Sequence, residues 1–148
     1  MQGSPNEPYR RRHRQPGLAW LTCLHAAAAP LRADHPLLGT WDFKLPGSGC
    51  VDSMTVLRSG KVTSTSAQEI GESDAEISDK PNDRGLYKWV DKMTASNGKP
   101  DCGDSVTPIG DVAVNFIRLD ASGDRFMLCF GEAADPCLGP YVRRRLPR

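Results

Sequence analysis

Apolar and polar residues alternate along most of this 148-residue chain in short runs, each closed by glycine, proline, serine or aspartate. Trp41, Phe43 and Leu45 alternate with Thr40, Asp42 and Lys44, the period of a half-buried strand. Pro46-Gly47-Ser48-Gly49 ends it. The runs 51–57 and 61–67 are rich in valine and threonine and flank Arg58-Ser59-Gly60-Lys61, which predicts a hairpin with a tight turn. The run 69–81 is acidic, with Ile70 and Ile77 as its only large apolar residues. It predicts an exposed strand over 74–78 and a loop over 80–84. Alternation returns over 85–94, with Tyr87, Trp89 and Asp91 on one face. The stretch 95–110 is the longest irregular one. The runs 111–119 and 125–130 predict a second hairpin across Ala121-Ser122-Gly123-Asp124, and 139–146 a last strand. The pattern points Trp41 and Phe43 inward, and likewise Val112, Val114 and Phe116, and Phe126, Leu128 and Phe130. No sustained helical spacing occurs downstream of residue 33. Together these features predict an all-β, antiparallel domain of about eight short strands, a sandwich or a small barrel.

The first 33 residues do not fit that pattern. Residues 1–16 are polar and basic, with Arg10, Arg11, Arg12 and Arg14, and 17–29 is a mostly apolar run ending in four alanines. A basic region, a short apolar core and small residues for cleavage describe a signal peptide. The run is shorter than the roughly 20 apolar residues of a transmembrane helix. Pro30 disfavours cleavage just before it, which leaves Ala28 or Ala33 as the last residue removed. The expected organisation is a signal peptide over 1–33 and a single domain over 34–148, with no integral membrane segment in the mature chain.

Four cysteines lie downstream, Cys50, Cys102, Cys129 and Cys137, and a fifth, Cys23, falls inside the apolar run. An even number in a small exported domain predicts two disulfides, placing the protein in the periplasm or outside the cell. Cys129 and Cys137 flank the turn-rich 131–136 and belong to consecutive strands, so they are expected to pair. Cys50–Cys102 then ties the start of the second strand to the long loop. The chain lacks Cys-x-x-Cys and closely spaced ligand pairs, so neither a redox motif nor a four-thiolate zinc site is expected.

Charge and histidine supply narrow the chemistry. The full chain carries +1. Without residues 1–33 it keeps 14 basic and 17 acidic side chains, a net charge of −3, which gives no reason to expect nucleic-acid binding. Of His13, His25 and His35, only the last survives processing. Histidine-dependent triads, Cys-His pairs and most zinc sites are thereby disfavoured. Asp101, Asp104 and Asp111 lack the ligand spacing of a calcium loop. No catalytic residue, cofactor or metal is expected. Arg143-Arg144-Arg145 reads as a charged final strand that resists aggregation, with anionic polymers or lipid headgroups as the alternative partners. Trp41, Val56, Trp89 and Phe116 are the candidate lining of an internal ligand cavity, and ordinary core packing is the other reading.

Leu38-Gly39-Thr40-Trp41 resembles the Gly-x-Trp opening of lipocalin-like barrels, and the hairpin 54–62 resembles the second hairpin of small bacterial members. Asp101-Cys102-Gly103-Asp104, Cys129 and Cys137-Leu138-Gly139-Pro140 are similar to exported proteobacterial proteins. The resemblance implies an up-and-down barrel of about eight strands, with a ligand cavity and no catalytic residue. Small periplasmic protease inhibitors share the size, the signal and a similar opening strand, and they act through a short arm ahead of the barrel. Here that arm would be residues 34–37. The resulting expectation is an exported, non-enzymatic binding protein for a small apolar ligand. The alternative is an inhibitor-like module for a protein partner, and a weaker one is a small carboxylate-dependent hydrolase.

Overall fold

The computed structural model describes residues 29–147. The basic region, Cys23 and all but the end of the apolar run, on which the signal-peptide reading rests, lie outside the described residues. Eight strands follow one another: β1 (Gly39–Lys44), β2 (Val51–Val56), β3 (Lys61–Ser66), β4 (Glu69–Ile77), β5 (Leu86–Ser96), β6 (Val112–Leu119), β7 (Arg125–Cys129) and β8 (Cys137–Arg143). Each pairs antiparallel with the next, and β8 returns to β1, closing an up-and-down barrel. Closure removes both sheet edges. The β1–β8 seam is short, with Trp41 opposite Arg143 and Asp42 opposite Val142.

Turn chemistry sets the meander. Gly60 has φ +86°, and a Cβ there would lie 2.8 Å from the Ala75 carbonyl oxygen. Only glycine lets this turn approach β4, where the Ala75 N–H donates to the Gly60 carbonyl at 2.8 Å. In the β6–β7 turn, the Asp120 carboxylate accepts the Ser122 hydroxyl at 2.7 Å.

Residues directly opposite across a ladder share a face. The lumen is filled by aromatic and aliphatic side chains. Trp41 meets Phe126 edge-on at 4.8 Å, Phe126 stacks on Tyr141 at 4.9 Å, and Tyr141 meets Phe43 at 5.1 Å. Leu37, Val56, Val62, Trp89 and Ile117 pack around this column.

One end is plugged by the chain ahead of β1. Leu37 and His35 are buried. The His35 Nε2–H donates to the Ser78 carbonyl at 3.1 Å, and Nδ1 accepts the Leu37 N–H at 3.3 Å. Leu31 joins the core, and its N–H donates to the Arg58 carbonyl at 2.8 Å. Over the plug, the Arg143 guanidinium stacks 4.1 Å from the Trp41 ring and donates to the carbonyls of Pro36 and Leu38, both at 2.6 Å, and of Gly123 at 3.0 Å. A Cβ on Gly39, whose φ is +112°, would lie 3.2 Å from Arg143 Nη1. The glycine of the opening motif therefore makes room for the arginine.

Four expectations change. β4 starts at Glu69 rather than near Asp74, because its inner face is built from Glu69, Gly71, Ser73 and Ala75. Small residues there leave room for Trp89 and Met93 from β5, so the strand has no large apolar signature. Val112, Val114 and Phe116 point outward, opposite Lys92, Val90 and Lys88. Phe116 is nevertheless buried, in an outer cluster with Leu86 and Cys129 against Met127, Ala134 and Cys137. Phe130 lies past the end of β7 and is exposed, and β8 ends at Arg143 rather than 146.

The two disulfides are Cys50–Cys102 and Cys129–Cys137, the expected pairing. They indicate an oxidising compartment. Among the described residues, no helix is long and apolar enough to cross a membrane.

Candidate functional site

The four residues expected to line one cavity are not brought together. Trp41, Val56 and Trp89 belong to the packed lumen, while Phe116 sits on the outer wall beneath the β7–β8 loop. The arm over residues 34–37 is not free either, since His35 and Leu37 are packed into the closed end. The three consecutive arginines are engaged: Arg143 on Trp41 and Asp124, Arg144 with Asp42, and Arg145 with Asp124. Hydrogen bonding from Arg144 holds the Asp42 carboxyl below the usual range.

A hollow that combines apolar and half-buried polar groups lies at the opposite end, in the barrel mouth. It measures about 330 Å³, within the range of small-ligand sites. Phe43, Leu45, Pro46 and Leu138 supply its apolar wall. Asp52 and Ser66 project into it from β2 and β3, and Asp101, Cys102 and Gly103 roof it from the β5–β6 loop. Two other surface hollows, of about 260 Å³ beside Arg118 and Pro140 and about 320 Å³ beside Leu31 and Gly60, have only exposed polar side chains in their walls.

The roof is held by covalent and hydrogen bonds. The Cys50–Cys102 bond spans 5.9 Å between Cα atoms. The Cys102 N–H donates to Ser66 Oγ at 2.9 Å, and the Ser66 hydroxyl donates to Asp52 Oδ1. Asp101 Oδ1 accepts the N–H groups of Gly103 at 2.8 Å and Ser105 at 2.9 Å, which fixes the turn. At its start, Asn97 bridges the loop to β4 and the β3–β4 turn, accepting the Ile70 N–H at 3.1 Å and donating to the Gln68 carbonyl at 2.8 Å.

Sequence reasoning missed Glu69. It stands opposite Ser66, which stands opposite Asp52, so the three share one row of the inner wall. Glu69 is 6% exposed, and its Oε1 is shielded from solvent without a hydrogen-bond partner. Burial, reinforced by the charges of Asp101 and Asp52, pushes its carboxyl above the usual range, and hydrogen bonding from Thr107 opposes the shift. The strict alternation of Glu69, Gly71, Ser73 and Ala75 was the signal available, but it is written in small and polar residues. Deeper in the lumen, Asp91 Oδ1 is also shielded and unpartnered. Burial raises its carboxyl, and the side chains of Ser73 and Trp89 pull it back. Tyr141, packed between Phe43 and Phe126, is raised by burial and by the charge of Asp52. Among the described residues, no three His, Cys, Asp or Glu side chains converge closely enough to hold a metal ion.

The Glu69 geometry gives a pH prediction. A carboxyl raised in the fold binds its proton more tightly there than in the unfolded chain. Stability therefore falls as pH rises from the unfolded value, about 4.3, through the folded one. Glu69→Gln should match the parent near pH 3.5 and exceed it at pH 7 by about 1 kcal/mol, the low end for an unpaired buried polar atom. Urea midpoints at the two pH values check this. A variant less stable than the parent at pH 7 would show that the carboxylate is stabilising instead.

The barrel thus agrees with the architecture that the lipocalin-like resemblance implied, while comparison of the chain with models of known protein families, with characterised proteins and with solved structures finds no match.

Proposed function

We propose that this chain is an exported, non-catalytic binding protein of the lipocalin-like kind, periplasmic or secreted, that holds a small ligand in the barrel mouth. The observation that carries the reading is the hollow of about 330 Å³ over a filled lumen, with an apolar wall and a disulfide-anchored roof. A preformed concave site with few convergent polar groups suits small-molecule binding. Binding is favoured over carboxylate-dependent hydrolysis because the raised carboxyl of Glu69 is sealed from solvent and does not reach a substrate. The one histidine among the described residues has both ring nitrogens committed to structure.

Native mass spectrometry of protein purified from the oxidising compartment tests the reading. The expected result is a retained small molecule, one per chain, that is lost from Leu138→Arg. Leu138 is 43% exposed, so this change blocks the mouth without disturbing the core. A folded parent with no bound molecule, and no uptake from a cell extract, would sink the proposal. The same sample reports the N-terminus. Cleavage after Ala33 would discard Leu31, a core residue, whereas cleavage after Ala28 keeps it. Edman sequencing is expected to begin at Ala29, and a chain beginning at Asp34 would show that Leu31 is dispensable.

A second reading rests on the rim. Val51, Val106, Ile109, Phe130 and Leu138 are all exposed at the mouth end. Such a rim suits a protein partner. Co-purification of a stoichiometric protein instead of a small molecule would favour it.

A further inference from the structure

We infer that the outer wall of the barrel carries a second binding site, for a small organic anion: an apolar body bearing one carboxylate. The site is separate from the mouth and stands or falls apart from the reading above.

The hollow of about 260 Å³ lies on the outside of β6, β7 and β8. Met127 and Pro140 give it an apolar wall, and Arg118, Asp120 and Arg125 supply its charges. Arg118 stands opposite Met127 in the β6–β7 ladder, and Arg125 lies two positions before Met127 on the same strand. The three side chains therefore share the outer face. Diagonal neighbours across such a ladder are roughly 7–8 Å apart, a gap that two long side chains close. The register of β7 with β8 breaks between Phe126 and Leu128. There Gly139, with φ +135°, brings β8 so near that a Cβ would lie 3.0 Å from Met127 Sδ. The break thus packs Met127 against Gly139 and beside Pro140.

Partner supply singles out these two arginines. Eight arginines fall among the described residues. Arg32, Arg144 and Arg145 pair with acids. Arg58 and Arg84 donate to the carbonyls of Leu31 and Glu132, and Arg143 both pairs with an acid and donates to carbonyls. Among the described residues, only Arg118 and Arg125 neither pair nor donate through their guanidinium groups, and these two border one hollow. Asp120 does not neutralise them. Its carboxylate accepts the Ser122 hydroxyl at 2.7 Å and the Arg125 backbone N–H at 3.3 Å, and hydrogen bonding from Ser122 holds it below the usual range.

The chemistry of the ligand follows from that charge balance. A guanidinium presents a planar fork that meets a carboxylate through two parallel, charge-assisted bonds. Two guanidinium groups against the Asp120 carboxylate leave an excess that one negative charge neutralises. The volume lies just under the usual span for drug-sized ligands, so the apolar body is small, about the size of a phenyl ring or a short alkyl chain. A cation would face Arg118 and Arg125 directly, and a neutral ligand would leave both without a partner.

Nuclear magnetic resonance titration at pH 7 of the barrel with both disulfides intact tests this, read on the Nε–H signals of Arg118 and Arg125. The probes are two matched series: phenylacetate, 2-phenylethanol and 2-phenylethylamine, and hexanoate, hexanol and hexylamine. At least one carboxylate is expected to shift both signals and to bind about tenfold or more tighter than its alcohol, with no shift by its amine. Arg118→Gln and Arg125→Gln should each weaken that carboxylate about tenfold or more, the loss expected for a charge-assisted bond. Arg118→Lys keeps the charge but loses the fork, and it should weaken binding as well. Lys99→Gln, an equal change of net charge in the β5–β6 loop, should leave the affinity within about twofold, as should Leu138→Arg in the mouth. All these positions are exposed, so unfolding does not mimic the loss. Equal affinity for carboxylate and alcohol, unchanged affinity in both glutamine variants, or an equal loss in Lys99→Gln overturns the anion site. So does the absence of any shift by either carboxylate. Binding to phosphatidylglycerol vesicles that the two glutamine variants weaken, while neither free carboxylate binds, overturns it in favour of a membrane contact. The mouth is decided separately by the native mass spectrum.

Discussion

Replacing Trp41 by alanine is expected to destabilise the barrel by about 3–5 kcal/mol, the range for removing a large buried aromatic. Trp41 is fully buried at the centre of the closed end. Its indole N–H donates to the Leu37 carbonyl at 2.9 Å, and its ring meets Phe126 edge-on and carries the Arg143 guanidinium. The loss therefore includes apolar burial, one satisfied carbonyl and a cation–π contact. Arg143→Ala should cost less, about 2–3 kcal/mol, because the carbonyls it leaves can be partly rehydrated. The two changes share a contact, so the double variant should fall short of additivity by about 1–2 kcal/mol. Urea unfolding of the four proteins measures all three quantities. A loss below about 1 kcal/mol for Trp41→Ala would mean that the closed end does not depend on this residue. Strict additivity would mean that the stacked arginine contributes independently.

Removing the Cys50–Cys102 bond by a double serine substitution is expected to cost about 4 kcal/mol, from the closure entropy of a loop of its size. The bonded residues lie 52 positions apart. Cys129 and Cys137 lie eight apart, and the same relation gives about 2.5 kcal/mol for their bond. The two bonds should also differ in what they protect. Cys50–Cys102 holds the roof of the mouth, so its loss should release a bound ligand even where the barrel stays folded. Cys129–Cys137 covers the outer cluster of Leu86 and Phe116, and its loss should leave the mouth intact. Unfolding curves combined with native mass spectra of the two double variants test the separation. An equal loss of ligand from both would show that the roof does not rely on its own staple.

Arg143 illustrates how a fold assigns different tasks to identical neighbours. Arg143, Arg144 and Arg145 follow one another in sequence, yet Arg143 turns in over Trp41 and shares Asp124 with Arg145, while Arg144 between them pairs with Asp42. Strand alternation sends adjacent side chains to opposite faces, and barrel closure decides what each face meets. The run is therefore divided between the closed end of the barrel and surface ion pairs.

Several features were determined by the sequence itself. Alternation of Trp41 and Phe43 with Thr40 and Asp42, the Ser-Gly turns, and the spacing of Cys129 and Cys137 are local, and local sterics are enough to make strands, turns and a short staple of them. Tertiary structure alone decided the facing of β6, where Val112, Val114 and Phe116 alternate as a core strand does. Ile117 and Asn115 occupy the inner face instead, because the register with β5 sets Trp89 opposite Asn115 and Tyr87 opposite Ile117. The outer row keeps an apolar residue in Phe116 because the β7–β8 loop and its disulfide fold over that end. The mouth site is a tertiary product for the same reason. Asp52, Ser66 and Asp101 are spread over 50 positions, and each reads as a solvated polar residue in its own neighbourhood. Strand pairing lines up the first two, and the Cys50–Cys102 bond carries the third over them. Burial is a property of what packs around a side chain, and for these residues the packing comes from strands and loops that the local sequence does not contain.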